Sequence, residues 1–195
     1  MGRTVDKMLD AVRLAHQIHK DDVRKFTRHP YVTHLAEVAG LMSAVTWPKF
    51  HDHIVITSWL HDAVEDHPDQ ITLDEIKYRF TFHSEEGVML LTKDPRWAPF
   101  PKKEREMRYI KRLMSAPGWV QSIKCADILS NCRTVLDVCP DPKWSRPYFI
   151  RKLATVEALT NANEGLRALV LETLLEIAVN HGMTLDDAAY EEAFG

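Results

Sequence analysis

Glycine is scarce in this sequence, and no uncharged apolar run approaches the length of a membrane helix. The 195 residues include only 7 glycines, too few for an architecture with many tight β-turns. A membrane helix needs about 20 consecutive apolar residues, and the first segment, MGRTVDKMLDAV, lacks the apolar core of a signal peptide. We therefore expect one domain over 1–195, a cytoplasmic location and no membrane partner.

Cysteine is also rare, and the three cysteines are spaced seven residues apart. Cys125, Cys132 and Cys139 would lie on one side of a helix, stacked along it and not converging on one point. A zinc site favours closer pairs such as CxxC, and an odd number without a disulfide pattern is typical of a reducing compartment. We interpret the three as small buried residues.

A net positive charge is concentrated in one segment. The formal net charge is -3, which argues against a generic nucleic-acid binder, whereas residues 93–112 carry eight basic and three acidic side chains, +5 in all, leaving -8 elsewhere. A basic patch on an acidic body suits a small anionic ligand. Lys102, Lys103 and Arg105 are candidate contacts for a pyrophosphate, and a solvated helix face is the alternative.

Apolar residues recur with helical spacing along most of the chain, and no segment alternates as a strand requires. Helices are expected over about 5–18, from a cap at Thr33 to Pro48, over 52–66, from a capping box at Thr72 to Phe80, and from a cap at Ser84 to Leu91. After a loop at 95–101, more are expected up to 115, up to Pro140, over 147–163 and 165–181, and beyond 184. The pattern predicts an all-α, single-domain bundle.

The segment SWLHDAVED, residues 58–66, places four ionisable groups directly after an apolar run. His61, Asp62, Glu65 and Asp66 would share one sector at a helix end, because they are three or four residues apart. Carboxylates at a helix C-terminus oppose the helix dipole, so a compensating cation is one interpretation and a solvated helix end the other. An imidazole beside a carboxylate is a plausible pair of metal ligands.

Two other segments carry polar residues in a helical pattern. Asp127 and Asn131 lie on a stripe with Lys124 and Thr134, which is either a wet helix face or the wall of a pocket. His34 follows Pro30-Tyr31, with Arg24 and Lys25 upstream. A lone histidine there is usually structural, and surface solubility would explain the basic pair equally well.

Taken together, these segments resemble the metal-dependent HD phosphohydrolases, and more closely the hydrolase domain of the RelA/SpoT family. HKDDVRKFTRHPYVTHLAEVA is similar to the family pattern H…RKYTGEPYIxH…VA, SWLHDAVED to LLHDxxED, and IKCADILSNCRTV to VKLADxxxNxRxL. Order and spacing agree over about 11–163, the motif-bearing core. Arg28 and His29 replace the usual Gly-Glu, and Ile128 and Ser130 replace Arg and His of many long members.

The resemblance implies a role for each matching residue. It implies that one divalent metal, typically Mn²⁺, is held by His34, His61, Asp62 and Asp127. It also implies that the attacking water is positioned and deprotonated by Glu65 and Asp66, and that the nucleotide is contacted by Arg24, Lys25 and Asn131. Tyr148, with Lys152 one turn on, could close the far side of the pocket.

The implied activity is hydrolysis of the 3′-pyrophosphate of ppGpp and pppGpp, alarmones of the stringent response, to GDP or GTP. Two alternatives stay open. One is another HD-type nucleotide phosphohydrolase, acting on an adenosine alarmone, the phosphate of NADPH or a deoxynucleotide. The other is a non-catalytic, nucleotide-binding HD module. No synthetase domain is expected, and the resident metal and the oligomeric state are left open.

Overall fold

The computed structural model describes residues 2–46, 51–138 and 142–183. It divides into two compact units, Met1–Lys93 and Asp94–Gly195, and we describe each by itself; the single domain stays a prediction. In the described ranges, regular structure consists of helices and one isolated bridge, Val23 with Pro30, so the all-α class is confirmed. Within those ranges we find no helix with the length and hydropathy of a membrane span.

The helices follow one another with short connections. The first unit contains α1 (Gly2–Ile18), α2 (Val32–Thr46), α3 (Asp52–Leu60), α4 (Ala63–Asp66), α5 (Leu73–Arg79) and α6 (Phe82–Leu91). The second unit contains a 3₁₀ turn (Pro95–Trp97), α7 (Lys102–Met114), α8 (Gly118–Val138), α9 (Pro142–Ala158) and α10 (Glu164–Asn180).

The core of the first unit forms around α3, which packs against α1, α2 and α6. Ile56 and Leu60 of α3 are fully buried, and α1 contributes Leu14 and Ile18 from one face to the same cluster. Burial of each such side chain stabilises the fold by about 1.5–3 kcal/mol. The packing fixes the end of α3, and hence the backbone of His61, which follows directly.

The second unit is organised around α8, which packs against α7, α9 and α10. Its first turn is tied to the α9–α10 connection, because the buried Gln121 accepts a hydrogen bond from the Asn161 amide at 3.0 Å and the Ser122 hydroxyl accepts one from the Asn163 amide at 2.8 Å. A Cβ at Gly118 would lie 2.3 Å from the Asn161 carbonyl oxygen, so glycine is required by this close approach.

Two predicted helix caps are wrong, and a third is confirmed. α2 begins at Val32, so Thr33 is inside it and its hydroxyl donates to the Pro30 carbonyl at 2.8 Å. α6 is capped by Thr81, whose oxygen accepts from the Ser84 amide at 3.0 Å. The capping box at Thr72 and Glu75 is present.

The helix expected over 52–66 is interrupted at His61 and Asp62, where α3 ends and α4 begins. α9 begins at Pro142 and continues through Pro147, which we expected to start it; the burial of Phe149 and Ile150 holds the helix together across the missing N–H. The helix ends expected at Pro48 and Pro140 and the helix beyond 184 lie outside the described residues.

The described cysteines are buried, as expected. Cys125 and Cys132 are free thiols with no exposed surface, and burial raises the pKa of each thiol to about 12. Such thiols are chemically inert at neutral pH. Cys139 lies outside the described residues.

Candidate metal centre

The candidate centre in the first unit is built from the start of α2 and the junction of α3 with α4. His34 is fully buried in the first turn of α2, and His61 is almost fully buried after the last residue of α3. Each offers a nitrogen, and Asp62 a carboxylate oxygen, within 4.8 Å of the other two ligand atoms. The structure therefore brings together three of the four predicted metal ligands within this unit.

The hydrogen bond of His61 to its own helix fixes which ring nitrogen faces Asp62. Nδ1 lies 2.9 Å from the Ser58 carbonyl oxygen, which only accepts, so Nδ1 carries a hydrogen. In the neutral ring, Nε2 then presents a lone pair, and it lies 3.0 Å from Asp62 Oδ2. His34 Nε2 lies 3.6 Å from the same oxygen.

Lone pairs that face one another at this distance repel unless a positive charge lies between them. Two imidazole nitrogens and a carboxylate suit a divalent first-row metal ion, so the donor set fits the metal predicted from the sequence. The hydrogen bond from Nδ1 to a backbone carbonyl is the usual support for a ligating histidine. Asp62 is partly exposed, which leaves access from solvent.

Tyr31 orients the carboxylate of this cluster. Its hydroxyl donates a hydrogen bond to Asp62 Oδ2 at 2.6 Å, and its ring lies 5.3 Å from that of His34. We did not assign a role to Tyr31 from the sequence, although it stands three residues before His34 in the quoted motif. A hydrogen bond to a carboxylate ligand fixes its orientation, so Tyr31 is part of the site.

The predicted bases, Glu65 and Asp66, lie on α4, one turn beyond His61 and Asp62. Both Glu65 oxygens accept hydrogen bonds from Lys93, one from its backbone amide at 2.7 Å and one from Nζ at 3.2 Å. Lys93 therefore holds Glu65 as an oriented carboxylate, a role that we did not predict.

The Asp66 side chain is exposed, and its pKa is nevertheless raised. Partial desolvation by the surrounding atoms, followed by the charges of Asp62 and Glu65, raises the pKa of Asp66 to about 6. The second of these causes is an accumulation of negative charge at one end of α4. A bound cation would reduce this repulsion.

Arg24 and Lys25, the predicted nucleotide contacts, lie in a tight turn between α1 and α2. The turn is closed by hydrogen bonds from the Arg24 amide to the His29 carbonyl at 2.8 Å and from the Arg28 amide to the Arg24 carbonyl at 3.0 Å. Arg24 is only 6% exposed and donates to Glu37 at 2.9 Å, so it is less accessible than we expected. Lys25 is exposed.

Arg28 occupies the position at which the RelA/SpoT family pattern has glycine. Its φ is 60°, in the left-handed region where glycine is favoured. The turn therefore has a shape that suits glycine, although this chain has arginine there. The departure from the family pattern costs conformational energy and leaves the turn formed.

In the second unit, the polar stripe of α8 is an internal hydrogen-bond chain. Asp127 is buried, and its two oxygens accept from Lys124 Nζ at 2.7 Å and from Asn131 Nδ2 at 2.6 Å. Asn131 thus supports Asp127 directly, in addition to any contact with a nucleotide. The metal-ligand role of Asp127 stays a prediction.

The other predicted contacts lie on α7 and α9. Lys102 and Arg105 are exposed at the start of α7, and Lys103 is partly buried. Tyr148 stacks on Trp144 with ring centroids 5.1 Å apart, and Lys152 Nζ lies 5.2 Å from the Tyr148 centroid. The substrate contacts predicted in the second unit stay predictions: Lys102, Lys103, Arg105, Asn131 and Tyr148.

Comparisons with known proteins give a structural match. No protein-family model and no curated protein sequence matches the chain. One solved structure that does match is that of a metazoan ortholog of SpoT, which hydrolyzes ppGpp and plays a role in starvation responses. It is 24% identical, with a TM-score of 0.75, and the match covers 91% of this chain and 97% of that one. The chain therefore has the fold of this SpoT ortholog, and the predicted fold is confirmed.

Proposed function

We propose that this protein is a metal-dependent hydrolase of the RelA/SpoT kind that removes the 3′-pyrophosphate of ppGpp and pppGpp. The observation that carries the proposal is the convergence of His34, His61 and Asp62 at 4.8 Å or less, in a fold shared with a SpoT ortholog. The buried free thiols of Cys125 and Cys132 are in keeping with a reducing compartment, and we propose the cytoplasm as the site of action.

The proposed cofactor is one Mn²⁺ ion held by His34, His61 and Asp62, with Asp127 as the fourth ligand. Imidazole and carboxylate ligands suit Mn²⁺ and neighbouring first-row ions. When bound, such an ion lowers the pKa of a water molecule and polarises a phosphoryl oxygen. Tyr31 keeps the Asp62 carboxylate oriented toward the two histidines.

Glu65 and Asp66 are the proposed acceptors of the water proton. The water oxygen forms a bond to the phosphorus attached to the 3′ oxygen, and the bond from that phosphorus to the 3′ oxygen breaks. The 3′ oxygen leaves with a proton, so the products are GDP or GTP and pyrophosphate. Each Glu65 oxygen accepts one hydrogen bond from Lys93 and keeps further lone-pair capacity for the water.

The proposed substrate contacts follow from charge and chemistry. Lys25 and the edge of Arg24 would contact the nucleoside part, with Asn131. Lys102, Lys103 and Arg105 would neutralise the pyrophosphate, as cationic side chains do in phosphoryl transfer. Tyr148 offers an aromatic face at the far side of the pocket.

A comparison of substrates tests the function. The full chain with Mn²⁺ is incubated with ppGpp, ppApp, NADPH or a deoxynucleoside triphosphate, and the products are identified. We expect GDP and pyrophosphate from ppGpp, no turnover by Asp62→Asn, and normal turnover by Asp69→Asn, an exposed carboxylate in the same segment.

Other outcomes would contradict the proposal in distinct ways. Turnover of NADPH or the deoxynucleotide alone would indicate another HD-type phosphohydrolase, and preference for ppApp would indicate an adenosine alarmone. Nucleotide binding without turnover of any substrate would indicate a non-catalytic module.

A further inference from the structure

A second group of histidine and aspartate side chains lies in the first unit, where α1 ends and α4 ends. His19, Asp22 and His67 each offer a ligand atom, and the three atoms lie within 4.8 Å of one another. The group shares no residue with the candidate centre at His34, His61 and Asp62. The proposed hydrolase activity does not use it.

Both imidazoles of this group converge on one oxygen atom. Asp22 Oδ2 lies 2.7 Å from His19 Nδ1 and 2.6 Å from His67 Nε2. Two imidazole nitrogens and one carboxylate oxygen are a ligand set suited to a small metal site. His67 and Asp22 are 45 residues apart in the sequence, so the fold brings this set together. A hydrogen-bonded clamp between the ends of α1 and α4 is the alternative.

We propose that His19, Asp22 and His67 form a second metal site, which takes a borderline divalent cation of the Zn²⁺ type. Two imidazoles and one carboxylate leave the fourth tetrahedral position for water, as in open zinc sites. Imidazole nitrogens bind Zn²⁺ at about 2.0–2.1 Å, which places tetrahedral ligand atoms about 3.3 Å apart. The two nitrogen–oxygen separations would therefore widen by about 0.6–0.7 Å, a shift that the partly exposed Asp22 and His67 can make.

Binding requires a change of tautomer, and the surroundings permit it. His67 Nδ1 lies 3.0 Å from Gln70 Nε2, so it now accepts from the amide and Nε2 carries the ring hydrogen. Rotation of the exposed Gln70 amide by 180° presents its oxygen instead, which then accepts from Nδ1 while Nε2 binds the ion. The carboxamide thus supports either form of the ring.

At His19, the same change is nearly neutral. The side chain is 1% exposed, and in the described part of the chain its Nε2 has no hydrogen-bond partner. The nitrogen stays unsatisfied whether it carries the ring hydrogen or not. Transfer of that hydrogen from Nδ1 to Nε2, which frees Nδ1 to bind a metal, therefore breaks no further hydrogen bond.

The site is linked to the candidate centre through Tyr31. The Tyr31 ring stacks on His19 with centroids 5.0 Å apart, and its hydroxyl donates to Asp62 at 2.6 Å. An ion that immobilises His19 would hold the tyrosine against which it packs. The proposal concerns binding, and it stands whether or not the chain hydrolyses an alarmone.

Zinc binding to the full chain tests the proposal in a background that lacks the first centre. His61→Gln is dialysed to equilibrium against Zn²⁺, and the bound ion is counted by elemental analysis. We expect about one ion per chain, none when His67→Ala is added, and one when His16→Ala is added as a matched control on the exposed face of α1. Competition with a chelator should show at least a 100-fold weaker affinity for the His67 variant, since even outer-shell changes cost 10–100-fold.

The alternative outcomes overturn the proposal. If His61→Gln binds no Zn²⁺, or if the double variant with His67→Ala keeps its ion, then His19, Asp22 and His67 form only a hydrogen-bonded clamp. Asp22→Asn, which keeps the side-chain shape, is measured beside His67→Ala with the helical circular dichroism signal as a check of folding. Retention of the ion by a folded Asp22→Asn chain would equally overturn the site.

Discussion

In the first unit, histidine and aspartate side chains from separate helices converge on shared atoms, whereas on α7 of the second unit an arginine pairs with a carboxylate close to it in sequence. His34 and His61 face the same oxygen of Asp62. By contrast, Arg108 pairs with Glu104 at 2.6 Å, four residues away on α7. Convergence of acceptors calls for a cation, while local pairing satisfies charges without any ligand. The comparison therefore separates a binding site from a solvated helix face.

The same comparison shows where the positive charge of residues 93–112 is available. Arg96 donates hydrogen bonds to Asp94 through its side-chain Nε and Nη2 and through its backbone N–H. These bonds hold the pKa of that carboxyl far below its usual range, and Arg112 lies 3.1 Å from the same group. The basic character of the segment is thus carried by its other members. Within this segment, Lys102 and Arg105 are the exposed ones among the predicted contacts.

The largest expected effect would test whether the converging carboxylates include a base. Glu65→Gln should retain the metal and turn over about 10²–10⁴-fold more slowly, because removal of a general base typically costs that much. The measurements are kcat with ppGpp and metal content by elemental analysis, with Asp69→Asn as the control. A wild-type rate would contradict the assignment, and loss of the ion would make Glu65 a ligand.

Removal of the metal is expected to have the next largest effect, on stability. A ligand present at 100 times its dissociation constant stabilises the native state by about 2.7 kcal/mol, so chelation should lower Tm and added Mn²⁺ should restore it. Asp127→Asn should lose most of the metal, and addition of Mn²⁺ should then no longer raise its Tm. Full occupancy and an unchanged rate in Asp127→Asn would show that the cation needs only ligands from the first unit.

The comparison is sharpened within α7 by two basic residues. Lys102→Ala should reduce kcat/KM for ppGpp by about 5- to 150-fold, since a charge-assisted hydrogen bond contributes roughly 1–3 kcal/mol. Arg108→Ala is the matched control, because Arg108 is already engaged by Glu104 and lies 4.1 Å from the Phe100 ring centroid. Its removal should lower Tm and leave kcat/KM nearly unchanged.

A 3′-monophosphate analogue separates the two roles of Lys102. The loss should be much smaller with this analogue if Lys102 contacts the terminal phosphate. Equal losses on both substrates would show that α7 does not recognise the pyrophosphate, and no loss on either would identify a solvated helix face.

Local signals predicted the fold well, and tertiary contacts account for the errors. The periodic apolar faces and the Thr72 capping box depend on neighbouring residues, so both are visible in the sequence. Thr81 and Ser84 carry the same capping signal, and the choice between them depends on the burial of Ser84. The interruption at His61 accompanies a side-chain hydrogen bond to Ser58, which periodicity does not encode.

The candidate site was predicted to a similar degree. His34, His61 and Asp62 follow from the motifs and are close together in the structure. Tyr31 and Lys93 were not predicted, because they contact carboxylates 31 and 28 residues away, and such pairings become evident only once the helices are packed. The tight turn at Arg28 was retained despite the missing glycine, which pattern matching alone did not indicate.

The smallest expected effect concerns the stability of the turn at Arg28 in the first unit. Arg28 has a φ of 60°, a conformation that costs a residue with a Cβ roughly 1–2 kcal/mol. Arg28→Gly removes this cost. Glycine also gives the unfolded chain more conformational freedom, which destabilises the folded state by about 0.5–1 kcal/mol. We therefore expect a net stabilisation of about 0.5–1 kcal/mol. That corresponds to a rise in Tm of about 1–4 °C for a chain of this size.

Arg28→Ala keeps the Cβ and should bring no such gain. If both variants raised Tm equally, the arginine side chain and not the backbone would be the source of the cost. If neither did, the turn would be unstrained, and its glycine in the resembling family would need another explanation.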